Sequence, residues 1–198
     1  RFAHWIEHGA PEDLLKSSIY FDLRALAGAL PLARPLREAI EREAARNPRF
    51  LKQMADNALR NAPALSWSGA LDTQAHDGRE TIDLKHRGTA IYVDAARLFA
   101  LAQGASATGT RERFEAVADA MGAPAHEAQA WSAGFEVLQM LRLQAQLGAA
   151  GGQAVGAADG NPNLVDVAAL NDIDRRMLKE ALRVASRLQQ RIEMDYGQ

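Results

Sequence analysis

Apolar residues recur three or four positions apart along most of this chain, and proline or glycine separates one run from the next. One run covers residues 36–44 and ends at Asn47-Pro48, and a longer one covers residues 131–145 after Pro124. This spacing places one apolar stripe along a helix, so it predicts helices that pack against each other. We therefore predict an all-α fold, a bundle of about seven helices.

Two stretches lose this period. Residues 61–80 predict one long irregular loop with room for a short hairpin, in which Trp67 is expected to plug into the core. Residues 148–163 hold five of the fifteen glycines and predict a flexible internal loop. The length of 198 residues suits a single helical domain over 1–198.

The composition excludes several classes of protein. The chain has no cysteine and a net charge of −2, and no long block carries one sign of charge. Disulfides, zinc–thiolate sites and a cysteine nucleophile are excluded, and neither nucleic acid nor a membrane is an expected partner. We predict a cytoplasmic protein. The chain starts at Arg1 without a methionine, so we expect it to be a piece of a longer protein.

An acid set in an apolar stretch is the most informative feature. If the first helix runs to about Ala27, Asp22 falls on one stripe with Leu15, Ile19 and Leu26. A carboxylate there needs a partner. The best candidate is Lys85, followed by Arg24, Arg113 and Arg142.

Together with Asp83, these residues predict a polar network. Its six members are Asp22, Arg24, Asp83, Lys85, Arg113 and Arg142. A structural network that ties helices together and a cleft for a phosphate or carboxylate predict the same pattern. Both interpretations stay open at this stage.

Two motifs match metal-binding sequence patterns, but the residues around them do not fit the structure that such sites need. His4-Trp5-Ile6-Glu7-His8 matches a metallopeptidase pattern, but Gly9 and Pro11 follow at once. Asp172-Ile173-Asp174 matches a magnesium-binding pattern but opens a helix, where the two acids favour the helix dipole. A free-standing metalloenzyme is therefore the least favoured class, and we predict no metal site and no catalytic residue.

Four short segments form an ordered set along the chain. They are Tyr20-Phe21-Asp22-Leu23-Arg24, Ile82-Asp83-Leu84-Lys85, Thr110-Arg111-Glu112-Arg113-Phe114 and Leu141-Arg142-Leu143-Gln144-Ala145-Gln146. In this order they resemble the family of nucleotidyltransferase substrate-binding domains. Gly28 and Gly88 follow the first two segments as they do in the family, whereas Phe114 and Ala145 depart from it, since the family usually has leucine and histidine there.

The resemblance implies an α-helical domain that follows a catalytic nucleotidyltransferase core in larger bacterial signalling proteins. Those proteins often carry a CBS pair and a cyclic-nucleotide-binding domain, and they are similar to the uridylyltransferases that modify the PII protein. It implies a substrate-binding or accessory role without catalysis by this chain. Magnesium and a nucleoside triphosphate would belong to the core, and no cofactor is expected here.

The expected partners are that core and the regulatory domains of the same chain, a protein substrate and a second copy of the chain. The alternative function is a helical interaction or dimerisation module that binds no small molecule.

Overall fold

Six α-helices dominate the part of the chain that the structure describes. This computed structural model covers residues 33–150, 161 and 163–197, together with residues 6, 21–23, 27 and 31, and at 148–150 it describes the backbone alone. The predicted helical class is confirmed, and the helix count is close to the expected seven. The helices are α1 (Ala33–Ala45), α2 (Pro48–Ala58), α3 (Ala90–Ala102), α4 (Thr110–Val117), α5 (Ala125–Ala150) and α6 (Asp172–Tyr196).

Local side-chain hydrogen bonds explain where two of the helices start. Asn47 accepts a hydrogen bond from the backbone N–H of Phe50 at 3.0 Å, and Pro48 occupies the first turn of α2. Asn171 accepts from the backbone N–H of Asp174 at 2.8 Å, which starts α6. α4 starts differently, because Gly109 takes its cap position without a side-chain hydrogen bond.

A small antiparallel sheet interrupts the helices. Its strands are β1 (Gln74–His76), β2 (Arg79–Asp83) and β3 (Leu164–Asp166), in the order β1-β2-β3. Asp77 and Gly78, with φ of 49° and 75°, form the two-residue hairpin turn between β1 and β2. The hairpin was foreseen, whereas the pairing of β2 with β3 was not. After β2, a π-helical segment (Lys85–Thr89) leads into α3.

The chain divides into two compact units. Unit 1 comprises Arg1–Arg60, Val93–Ala128 and Arg191–Gln198, and unit 2 comprises Asn61–Tyr92 and Gln129–Gln190. The single domain over 1–198 stays a prediction. Fully buried side chains of unit 1 include Phe50, Leu98, Phe99, Phe114 and Ile192, and those of unit 2 include Ile82, Tyr92, Trp131, Leu138 and Leu188.

The first predicted helix differs from the structure where the two can be compared. Phe21 and Asp22 lie in a turn, and Leu23 has no regular structure. Leu15, Ile19 and Leu26 lie outside the described residues, as do residues 151–160 and 162 of the predicted flexible loop 148–163. The first three residues of that loop, 148–150, instead continue α5. Among the helices that the structure describes, none combines the length and the apolar character that a membrane crossing needs.

Gly134 in α5 is required by the packing of unit 2. The hydroxyl of Tyr92 donates a hydrogen bond to the backbone oxygen of Ala181 at 2.6 Å, and Tyr92 is completely buried. A Cβ atom on Gly134 would collide with this hydroxyl. Since the phenol is held by its hydrogen bond and its burial, it cannot move aside cheaply.

We therefore expect Gly134→Ala to lower the free energy of unfolding by about 1–2 kcal/mol. Overpacking of ~1–3 kcal/mol outweighs the helix propensity that alanine adds, roughly 1 kcal/mol. Urea unfolding checks this in the wild type and in a Tyr92→Phe background. The loss should shrink in that background because the hydroxyl is gone, and an equal loss in both would contradict the collision.

Candidate functional site

Arg113, near the start of α4, is the most deeply buried charged residue among the described residues of unit 1. The residue is 3% exposed. Its Nε donates to the backbone oxygen of Ala107 at 3.0 Å, and its Nη2 donates to the backbone oxygen of Phe21 at 2.9 Å and to Oδ1 of Asp22 at 2.7 Å. These bonds satisfy a guanidinium that would otherwise be costly to bury.

Asp22 forms two ion pairs, but it is not buried. Its side chain is 44% exposed, whereas that of Arg113 is 4% exposed. Its Oδ2 accepts from Nη2 of Arg97 at 2.7 Å, and Arg97 also contacts Asp94 at 3.3 Å. Arg113 was among the candidate partners predicted from the sequence. The first candidate was Lys85, but the ion pairs of Asp22 are with Arg97 and Arg113.

The pKa values of the two acids move in opposite directions. Burial raises the pKa of the Asp22 carboxyl, but the charges and hydrogen bonds of Arg97 and Arg113 together outweigh burial and lower it. Burial raises the pKa of Asp94, and the neighbouring Arg97 offsets this only in part. The ionised carboxylate of Asp22 therefore stabilises Arg97 and Arg113.

The space beside this cluster is too small for a substrate. A cavity of about 10 Å³ is lined by Arg97 and Arg113 together with Arg37 and Glu41, which form their own ion pair at 3.5 Å. That volume holds about one water molecule. Among the described residues, the three arginines here are matched by three acids, Asp22, Asp94 and Glu41, so these residues leave no spare charge for a ligand. The geometry of the cluster is that of a structural lock.

Arg142 in unit 2 has a different environment. Its Nη1 donates to Thr89 Oγ1 at 3.2 Å and to Gln139 Oε1 at 2.9 Å, and its Nη2 donates to Asn163 Oδ1 at 2.9 Å. All three partners are neutral, and Arg142 forms no ion pair within the described residues. We call Arg142, Thr89, Gln139 and Asn163 the Arg142 centre. Among the described residues, no acid balances its positive charge.

Two backbone connections fix the Arg142 centre. Thr89 donates its hydroxyl to the backbone oxygen of Leu84 at 3.2 Å, and the backbone N–H of Leu84 donates to the backbone oxygen of Asn163 at 3.0 Å. The centre thus joins α5, the π-helical segment and the residue before β3. Because several elements hold it, the guanidinium is preorganised.

Asp83 and Lys85 lie beside the π-helical segment. Asp83 accepts from the backbone N–H groups of Lys85 and His86 at 2.9 and 3.0 Å, and its Oδ2 lies 2.9 Å from Nδ1 of His86. Asp83 therefore caps the segment, and burial raises its pKa less than the bonds with His86 and Lys85 lower it. The side chain of Lys85 is exposed.

The six predicted residues thus fall into two groups. Asp22 and Arg113 meet in unit 1, whereas Asp83, Lys85 and Arg142 belong to unit 2. Arg24 lies outside the described residues, as do His4 and His8. No group of three or more metal-ligating side chains forms among the residues that the structure describes. A binding role for the six residues stays a prediction.

Residues 48–196 match the family described as "Putative nucleotidyltransferase substrate binding domain". The chain belongs to this family. Asp83, Lys85, Arg113 and Arg142 lie within the matched range, and Asp22 precedes it. No curated protein and no solved structure gave a significant match to the chain.

Several residues of these clusters were not predicted. Arg97 lies on α3 between buried positions, and no sequence pattern singled it out. Thr89 and Gln139 were not predicted either. Gln139 lies three residues before Arg142, so both side chains are on one face of α5. This spacing could have revealed the contact between Gln139 and Arg142.

Removal of the Asp22 carboxylate should destabilise the chain. We expect Asp22→Ala to lower the free energy of unfolding by about 2–3 kcal/mol, since a hydrogen bond to a charged group is worth ~1.5–3 kcal/mol and Arg113 stays buried. Glu115→Ala is the matched control, because Glu115 pairs with Arg111 on the same helix with both side chains more than half exposed. That pair should contribute at most about 1 kcal/mol. Equal effects in chemical denaturation would contradict the lock.

The lowered pKa of Asp22 also predicts a pH dependence. Its stabilising effect is complete above the ordinary pKa of 3.8 and disappears as the pH falls through the lower folded-state value. Asp22→Asn lacks this titration. The gap in unfolding free energy between wild type and Asp22→Asn should therefore be constant near neutral pH and shrink in acid below 3.8. Urea unfolding over a pH series measures it, and a constant gap would contradict the assignment.

Proposed function

We propose that this chain is the substrate-binding domain of a nucleotidyltransferase-like signalling protein and that it does not catalyse the transfer itself. A catalytic nucleotidyltransferase core in the same chain would supply the magnesium and the nucleoside triphosphate. The family membership supports the general role, and the Arg142 centre supports a binding role in particular.

One observation carries this proposal: within the part of the chain that the structure describes, Arg142 is a partly buried cation whose hydrogen-bond partners are all neutral oxygen atoms. A guanidinium in such surroundings is suited to a phosphate or carboxylate, which its planar fork can bind with two parallel hydrogen bonds. The balanced cluster around Asp22 lacks this property. The anionic group of a substrate is therefore best placed at Arg142, with the exposed Lys85 as a second cation of the same unit.

The test uses the longer protein in which a catalytic core precedes this domain. Transfer of label from α-labelled ATP or UTP to proteins in an extract of the source organism is compared for wild type, Arg142→Gln and Arg142→Lys. We expect Arg142→Gln to lower transfer at least tenfold at limiting acceptor, because loss of a binding contact raises KM while kcat is retained. Arg142→Lys keeps the charge and should retain part of the transfer.

A matched control separates binding from folding. Arg176→Gln removes an exposed arginine of α6 that is not part of the Arg142 centre, and it should leave transfer unchanged. Unfolding curves show whether each variant is folded. A folded Arg142→Gln variant with unchanged KM would overturn the proposal.

The alternative function is an interaction or dimerisation module. An apolar stripe on α5 favours it, since Met140, Leu143 and Leu147 are 37%, 55% and 63% exposed at spacings of three and four residues. Sedimentation equilibrium of wild type and Leu143→Glu discriminates the two functions. A dimer that Leu143→Glu dissociates, together with transfer that does not depend on Arg142, would favour the module.

A further inference from the structure

Unit 2 has an open groove of about 460 Å³. One side is the turn that carries Ser66, Trp67 and Gly69, and the other is a face of α6 with Arg183, Ser186 and Arg187. The volume lies within the range of about 300–1,000 Å³ that is typical of small-molecule sites. The groove shares no residue with the Arg142 centre.

Trp67 stands fully in solvent on a rigid support. Its side chain is 100% exposed, the opposite of the core position expected from the sequence. The turn beneath it is closed by backbone hydrogen bonds from Ser66 to Ala70 at 2.8 Å and from Gly69 to Ser66 at 2.9 Å. Gly69 supplies the positive φ of 75° that this turn needs. The indole is therefore presented by an ordered backbone, which lowers the entropy lost when a ligand binds.

The α6 side of the groove is positively charged. Arg183 and Arg187 are four residues apart, so they share one face of the helix and repel each other. Arg183 pairs with Glu180, and its Nη2 lies 4.0 Å from the position that a Cβ of Gly69 would take. Within the described residues Arg187 makes no hydrogen bond and no ion pair. None of the residues that line the groove is an acid.

We propose that this groove binds a planar aromatic ring that carries phosphate, as a nucleoside phosphate does. The ring stacks on the indole of Trp67, an interaction that tolerates different bases because each has a π face. Arg187 holds the phosphate, and Arg183 adds a second fork. A neutral aromatic compound or free phosphate would satisfy only one half of the groove.

Tryptophan fluorescence and calorimetric titration of the whole chain test this proposal with ATP, UTP, adenosine and inorganic phosphate as probes. ATP and UTP should bind with dissociation constants within a few-fold of each other, and adenosine and phosphate alone should bind at least tenfold more weakly. Trp67→Ala should weaken ATP binding roughly tenfold or more, because stacking contributes that much per base. Trp67→Phe keeps a ring and should lose less.

The arginine variants complete the test. Arg187→Gln should weaken ATP binding at least tenfold and reduce its salt dependence, whereas Arg176→Gln on the same helix should change neither. Arg142→Gln should leave ATP binding in this groove unchanged, so this site and the proposed function can fail separately. Because Trp67 and Arg187 are exposed, we expect their variants to fold, and unfolding curves check this.

Three results would overturn the proposal. The first is no binding of ATP or UTP at millimolar concentration. The second is ATP binding that neither Trp67→Ala nor Arg187→Gln alters, which would place the nucleotide elsewhere. The third is self-association of the chain that Trp67→Ala abolishes while ATP binding is absent, which would make the groove a protein contact.

Discussion

Unit 1 depends on a guanidinium that solvent scarcely reaches. Arg113 is buried, and a buried charge is tolerated only when its hydrogen-bond donors are satisfied. Backbone oxygens of Phe21 and Ala107 and the carboxylate of Asp22 satisfy it. The arginine therefore ties a turn early in the chain to the loop and helix that follow residue 104. Any arrangement of unit 1 that separated these segments would leave the charge without partners.

The sequence predicted a buried Asp22 with Lys85 as its first partner, whereas the structure pairs Asp22 with Arg97 and Arg113. An acid in an apolar run was expected to be the buried member, yet Asp22 is half exposed and Arg113 is enclosed. The expectation assumed a helix through Asp22, and positions three and four apart share a face only in a helix. Residues 21–23 form a turn and then an irregular stretch, so the inferred stripe does not exist there.

The helices could be predicted because the apolar periodicity of a helix lies within its own residues. The pairing of strands could not, because the paired residues are far apart in the sequence. The runs behind α1 and α5 carry their own periodicity, and α2 and α6 also begin at a local asparagine cap. The pairing of Ile82 with Val165 joins residues far apart in sequence, and a three-residue strand such as β3 is too short to show alternation. Trp67 shows a related limit, because apolar character alone does not tell a core residue from an exposed one.

The Asp22 cluster of unit 1 and the arginines of unit 2 differ most clearly in whether acids balance their positive charge. Around Asp22, the arginines and acids that the structure describes are equal in number and line a cavity that holds about one water molecule. In unit 2, Arg142 has neutral partners only, and Arg187 has none within the described residues. An unmatched arginine gains more from an anion than a paired one, because a new anion need not displace an existing carboxylate. The matched range of the family, 48–196, includes both unmatched arginines and excludes Asp22. These features support our proposal that unit 2 carries the binding site, and the predicted role of the Asp22 cluster is to stabilise unit 1.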